Sequence, residues 1–166
     1  MNWPVFHFAL RYDISDQPQF LPRQGEPLAT GWDVFAAPVD RNPIILRAGQ
    51  YVKIPLGIRA FSPDSWWLQL NPRSSTFAKK SLHALYGVID SSYEGELTFV
   101  AQYQPDVRSL GTDLVINFGD AVGQLIPVPR QQMSVVQITN TEFDDMCRER
   151  GAVRGAGGFG STTGGQ

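Results

Sequence analysis

GVIDSSYEGELTFVAQY, residues 87–103, changes character halfway along. From Thr98 to Tyr103 side chains of β-forming type alternate with a period of two, so one face of a strand packs inward and the other meets solvent or a partner. The first half is different. The apolar pair Val88–Ile89 leads straight into Asp90, and Tyr93 follows three residues on, just before Gly95. A hairpin here holds a carboxylate at the end of a buried strand beside a flat ring. Desolvation there tunes the carboxylate towards general-base work, and the tyrosine ring lies against a sugar or a base. An ordinary alternative fits the same residues: an Asp–Ser turn joining two strands, with Tyr93 as a cross-strand core contact.

Working outward, strand-length runs of the same kind recur at 5–12, 44–48, 51–61, 66–70, 114–118, 122–128 and 134–138. The 16 Gly and 12 Pro are scattered between them as turn residues. Pro55 and Pro127 fall inside runs and mark edges or bulges. Segments 75–82 and 143–150 read as two short helices, the second with acids early, bases late and Gly151 as a stop. QPDVRSLGT, 104–112, reads as a polar hairpin loop. The expected fold is all-β, a sandwich or jelly roll over 1–150, with a Gly-rich arm from 151 to 166.

Composition narrows the function classes. A chain of 166 residues with 42% hydrophobic content buries one core without a disulfide or structural metal, and its single cysteine, Cys147, cannot form an internal bridge. The N-terminal sequence has no signal-peptide pattern, and no apolar run approaches the ~20 residues a membrane span needs. The expectation is a soluble cytoplasmic protein. A net charge of -2 offers no broad positive field for nucleic acid, so bound phosphate must be held locally.

Four further stretches carry chemistry. NPRSST, 71–76, puts the Arg73 guanidinium, the Ser74 and Ser75 hydroxyls and several backbone N–H donors into one turn, a donor set shaped for phosphate. A helix cap by either serine explains it equally. FGDAVGQLIPV, 118–128, carries Gln124 as a lone amide among apolar neighbours, and ATGWDVFAA, 29–37, places Asp33 after a glycine turn at the start of a strand. Turn chemistry alone accounts for either. The tail GGFGSTTGGQ, 157–166, carries Phe159 and is preceded by Arg154, neither of which a spacer needs.

Taken in order, ATGWDVFAA, NPRSS, GVIDSSYEGEL, FGDAVGQLI and RGAGGFGST resemble the five motifs of the homotrimeric dUTPases, from about residue 29 to the C-terminus. The resemblance implies a jelly-roll-like barrel or sandwich and a dUTP diphosphatase that forms dUMP and pyrophosphate. In it Asp90 acts as the base for water attacking the α-phosphorus, while Arg73, Ser74, Ser75 and Gln124 hold phosphate oxygens. Backbone groups of Gly87, Val88 and Ile89 read the uracil, and Tyr93 excludes a 2′-hydroxyl. The arm closes over the nucleotide, with Phe159 on the base, Arg154 on phosphate charge, and Gly160, Ser161 and Thr162 around the γ-phosphate. Mg2+ rides on the triphosphate, with Asp33 at most a water-mediated contact. Three subunits share three interface sites. Ser92 stands where a second acid is usual, Ala121 where a basic residue is usual, and the tail has STTGG where STG is common.

Other readings lead elsewhere. A dCTP deaminase on this fold needs a glutamate where Val100 stands, and neither Ala101 nor Gln102 supplies a carboxylate. A nucleotide-responsive regulator has no need of Asp90, although a protein partner at 104–112 is compatible with either role. A carbohydrate- or protein-binding module would use WWLQL as an aromatic platform, but Trp66 and Trp67 face opposite ways on a strand.

Overall fold

Strands come short and antiparallel throughout, because turn residues interrupt nearly every apolar run. The computed structural model describes residues 3–151. By contacts the chain divides into two units, Met1–Arg130 and Gln131–Gln166. The first contains β1 (His7–Leu10), β2 (Arg23–Gln24), β3 (Trp32–Phe35), β4 (Ile44–Leu46), β5 (Tyr51–Pro55), β6 (Ile58–Phe61) and β7 (Trp66–Pro72). After β7 come helix α1 (Ser74–Ala78), β8 (Leu82–Ala84), β9 (Gly87–Ile89), β10 (Thr98–Tyr103), β11 (Leu114–Ile116) and β12 (Ala121–Pro129). The second unit contains helix α2 (Asn140–Arg150).

A five-stranded sheet in the order β2-β3-β12-β7-β9 and a three-stranded sheet β5-β10-β8 are accompanied by the ribbons β1-β6 and β11-β4. Among the described residues these ladders do not join into one closed barrel, and the architecture is a jelly-roll-like sandwich. Its core forms where Val34, Leu68, Leu70, Val122 and Leu125 of the larger sheet meet Ile54, Leu82, Phe99, Ala101 and Tyr103 of the smaller. The period of two in TFVAQY is realised as read: Phe99, Ala101 and Tyr103 are buried, and Thr98, Val100 and Gln102 are not. Gly123 makes room for this core, because a Cβ there would lie 2.8 Å from the Phe99 ring and 3.0 Å from the Asn71 carbonyl oxygen.

The two prolines lie where a missing N–H does least harm. Pro55 ends β5, an edge strand. Pro127 pairs with Leu68 of β7, while the β3 ladder on its other side has already ended at Leu125. The run 51–61 is two strands broken at Leu56–Gly57. Gly57 has φ +67, its N–H donates to Glu96 Oε1 at 2.9 Å, and a Cβ on it would meet that of Ala37 at 2.9 Å. Trp66 packs edge-on against Phe6 with ring centroids 6.4 Å apart, and Trp67 takes the opposite face.

Several local readings change. Residues 87–103 are not a hairpin, since β9 pairs with β7 whereas β10 pairs with β5 and β8. The chain crosses between sheets because Leu97, fully buried, bonds through its backbone to Leu56 (3.0 Å) and Ile58 (2.8 Å). Residues 104–112 likewise join strands of different sheets and include a 3-10 turn, Val107–Ser109, whose two N–H groups at Arg108 and Ser109 are accepted by Asp106 Oδ1. α1 is shorter than read, with Ser81 at φ 50 turning the chain into β8. SVVQI, 134–138, forms no strand; its unit contains no described strand to pair with it.

In the second unit, α2 starts earlier than read. Thr139 and Glu142 form a reciprocal capping box, and Gly151 ends the helix in the left-handed conformation at φ 65.

Candidate active site

Gln124 sits at the centre of a row across the larger sheet. In register it lies directly opposite Asp33 on one side and Asn71 on the other. Residues facing one another across an antiparallel ladder share a face, so these three polar groups project together. Their row continues into Arg73, whose Nε lies 2.9 Å from Asp33 Oδ1. Gln124 is itself held, with Nε2 donating to the Pro72 carbonyl at 3.0 Å. Gly31 leaves room for that placement, because a Cβ at 31 would run into the Gln124 side-chain amide. Asn71 Oδ1 is buried and has no hydrogen-bond partner among the described residues.

Ser74 and Ser75 begin α1, but neither caps it. The cap position belongs to Arg73, with no side-chain bond from it, so the serine hydroxyls are not consumed by capping. The helix is fastened from behind. Thr76, 1% exposed, accepts the Arg73 N–H at 3.1 Å and donates to the Val122 carbonyl at 2.8 Å. Lys80 Nζ lies 3.0 Å from Asp120 Oδ2, which adds a cation beside Ala121 from another element. The structure places Asp33, Arg73 and Gln124, all candidates from the sequence, beside one another, and the sequence assigns nothing to Gly31, Thr76 or Lys80. The glycine before Trp32 and the threonine closing NPRSST were visible, but their partners, Gln124 and Val122, are distant in sequence.

The third motif is built differently from its expectation. β9 is an edge strand, paired through Gly87, Val88 and Ile89 with β7 on one side only among the described residues. Val88 is 65% exposed. Asp90 is exposed as well, so burial within one chain does not desolvate it. Tyr93 closes a turn by donating its N–H to the Asp90 carbonyl at 3.0 Å, and its hydroxyl donates to the Glu96 carbonyl at 3.2 Å. The ring lies over Gly95, where a Cβ would come within 2.6 Å of the phenol Cζ. Tyr93 is thus a held, half-exposed surface rather than a core contact.

One chain does not bring Asp90 to Arg73. Ile89 is in register with Leu68, which puts Asp90 level with Trp67, six residues along β7 from Arg73. At strand rise that is about 20 Å of backbone.

Arg154, Phe159, Gly160, Ser161 and Thr162 lie outside the described residues. Among those described there is no group of three His, Cys, Asp or Glu placed to hold a metal, and no helix long and apolar enough to cross a membrane.

With this geometry in place, comparison with known proteins is specific. The dUTPase family model matches residues 18–163. The deoxyuridine 5'-triphosphate nucleotidohydrolase of Rickettsia canadensis is 32% identical over 145 residues, covering 86% of this chain and 87% of that protein. The corresponding protein of Maricaulis maris is 31% identical over 144 residues, covering 86% of each chain. Among solved structures, the Staphylococcus bacteriophage 80alpha dUTPase with dUPNHPP superposes with TM-score 0.75 at 20% identity, over 95% of this chain and 97% of that one. A mutant dUTPase from phage phi11 of S. aureus, described for its coordination of a structural Mg(II) ion, gives TM-score 0.67 at 19% identity over 81% and 96%. The family model spans most of the chain, relatives more than 30% identical cover 86% of it, and the chain belongs to the dUTPase family.

Proposed function

We propose that this protein hydrolyses dUTP to dUMP and pyrophosphate at sites shared between copies of the chain. The observation that carries the reading is the division of labour on one subunit. A phosphate-shaped cluster at Asp33, Arg73, Ser74, Ser75 and Gln124 lies about 20 Å along β7 from an exposed carboxylate at Asp90. A site needing both is completed by another copy, and a trimer with three interface sites satisfies that need. Two surfaces support the assembly: exposed Val88 on edge strand β9, and the β-forming segment SVVQI, whose Val135 and Val136 are 82% and 76% exposed.

In this reaction Asp90 takes the proton of a water as its oxygen attacks the α-phosphorus, and the bond from that phosphorus to the oxygen bridging to the β-phosphate breaks. Pyrophosphate leaves with the bridging oxygen. Arg73, Ser74, Ser75 and Gln124 hold the phosphate oxygens and stabilise charge as it moves onto the leaving group. Desolvation of Asp90 then comes from the partner and the nucleotide. The unpaired edge of β9 offers backbone donors and acceptors of Gly87, Val88 and Ile89 to the uracil edge. The Tyr93 ring, held over Gly95, lies against the deoxyribose and leaves no room for a 2′-hydroxyl. Arg154, Phe159, Gly160, Ser161 and Thr162 of the arm close over base and phosphates.

Asp33 fits a water-mediated contact to magnesium: one carboxylate oxygen is taken by Arg73, and among the described residues no group of three His, Cys, Asp or Glu is placed to cage the ion directly. When bound, the ion neutralises charge on the triphosphate.

The test is pyrophosphate release from dUTP, UTP, dTTP and dCTP with magnesium, with Asp90→Asn as control. A strong dUTP preference that the control abolishes is the expected result, and equal turnover of all four nucleotides would refute it.

A further inference from the structure

The β7–β12 ladder ends at Pro72 opposite Gly123. Continued by one residue, it would set Arg73 against Val122 and join the Arg73 N–H to the Val122 carbonyl. The Thr76 hydroxyl occupies that place instead, accepting the N–H at 3.1 Å and donating to the carbonyl at 2.8 Å. Val122 is also where β12 slips register against β3, between Ala121 opposite Phe35 and Gly123 opposite Val34. One buried hydroxyl therefore bridges a bulge in one strand and the point at which its neighbour peels away into α1. Bulges of this kind re-aim side chains near functional sites.

We infer that Thr76 is a positioning residue for phosphate binding: its hydroxyl fixes how far β7 opens from β12 and hence where Arg73, Ser74 and Ser75 stand relative to Gln124. The inference rests on the proposed function, which gives those four residues to the phosphates. The Lys80–Asp120 pair, 3.0 Å, fastens the far end of α1 to the residue before Ala121 and keeps the opening from widening. Both anchors tie α1 and the residues just after it to β12 and the turn before it. Neither needs to touch the nucleotide to matter.

The substitution that isolates the hydroxyl is Thr76→Val, nearly equal in volume, with Thr76→Ser as the conservative partner. Removing a buried hydroxyl leaves both an N–H and a carbonyl unpaired, and the local structure shifts to satisfy them. Expected for Thr76→Val is a rise in KM for dUTP of about tenfold, with pyrophosphate product inhibition weakened in parallel and kcat changed less. Thr76→Ser stays within about twofold of the parent, because the bridge survives. A folded Thr76→Val with parental KM and pyrophosphate inhibition overturns the inference, as does Thr76→Ser impaired to the same degree as Val. If Thr76→Val does not fold, Lys80→Met carries the test: a few-fold rise in KM, about two- to fivefold, supports the clamp, and an unchanged KM refutes it. Hydrolysis of dUTP by the parent enzyme tests the proposed function on its own; the ratio of variant to parent tests Thr76.

Discussion

Asp90 and Arg73 lie at opposite ends of the β7–β9 ladder, Asp90 level with Trp67 and Arg73 just beyond the strand end. If both serve one reaction, they do so from different chains. Mixing inactive Asp90→Asn subunits with inactive Arg73→Ala subunits therefore restores part of the dUTPase activity, since some sites receive both native residues. Activity that stays at the level of the parents after subunit exchange contradicts the shared site.

Tyr93 stays over Gly95 only because residue 95 lacks a Cβ. Gly95→Ala pushes the ring aside and Tyr93→Ala removes it, so both raise UTP turnover relative to dUTP. Competing the two nucleotides in one assay reads the ratio directly. A ratio unchanged in both variants removes the ring from sugar selection.

Two glycines near Gln124 separate function from folding. At Gly31 an added methyl meets the end of the flexible Gln124 side chain, which swings away. Gly31→Ala thus lowers kcat/KM about tenfold while thermal unfolding barely moves. At Gly123 the obstacles are the packed Phe99 ring and the Asn71 backbone. Gly123→Ala costs about 1–3 kcal/mol of stability, visible as a lowered Tm.

Arg11 sets part of the acid response. Its guanidinium bonds both oxygens of Asp13 (2.6 and 2.9 Å), Glu96 (2.8 Å) and the Ala37 carbonyl (2.8 Å). Hydrogen bonding by Arg11 holds the Asp13 carboxyl below the ordinary carboxylate range. A carboxylate with a depressed folded value contributes stability above its unfolded pKa of about 3.9 and loses it as pH falls through the lower folded value. Denaturant melts of Arg11→Met over that acid window show a shallower loss of stability than the parent. Identical slopes contradict this coupling.

How much of this was legible in the sequence follows from what each feature depends on. Alternation along 98–103 predicted that one set of alternate side chains packs inward, because facing is a local property of an extended chain. Pairing is not local. β9 and β10 are neighbours in sequence, yet the buried Leu97 backbone, bonded at the β5–β6 corner, sends them to different sheets. SVVQI has strand-forming side chains, but a strand exists only with a partner. The chemistry shows the same divide. Asp33, Arg73, Gln124 and Asp90 were named from residue type and order, whereas the Asp33–Arg73 ion pair needed the register of β3, β12 and β7. Thr76 stands in the quoted NPRSST stretch, but its bridging role gave no signal, its carbonyl partner lying 46 residues away.

The central claim is that water, activated at Asp90, attacks the α-phosphorus, and the fate of the water oxygen tests it most directly. When dUTP is hydrolysed in heavy-oxygen water, mass spectrometry of the products should find the label in dUMP and none in pyrophosphate. Label appearing in pyrophosphate would mean attack at the β-phosphorus and would contradict the mechanism.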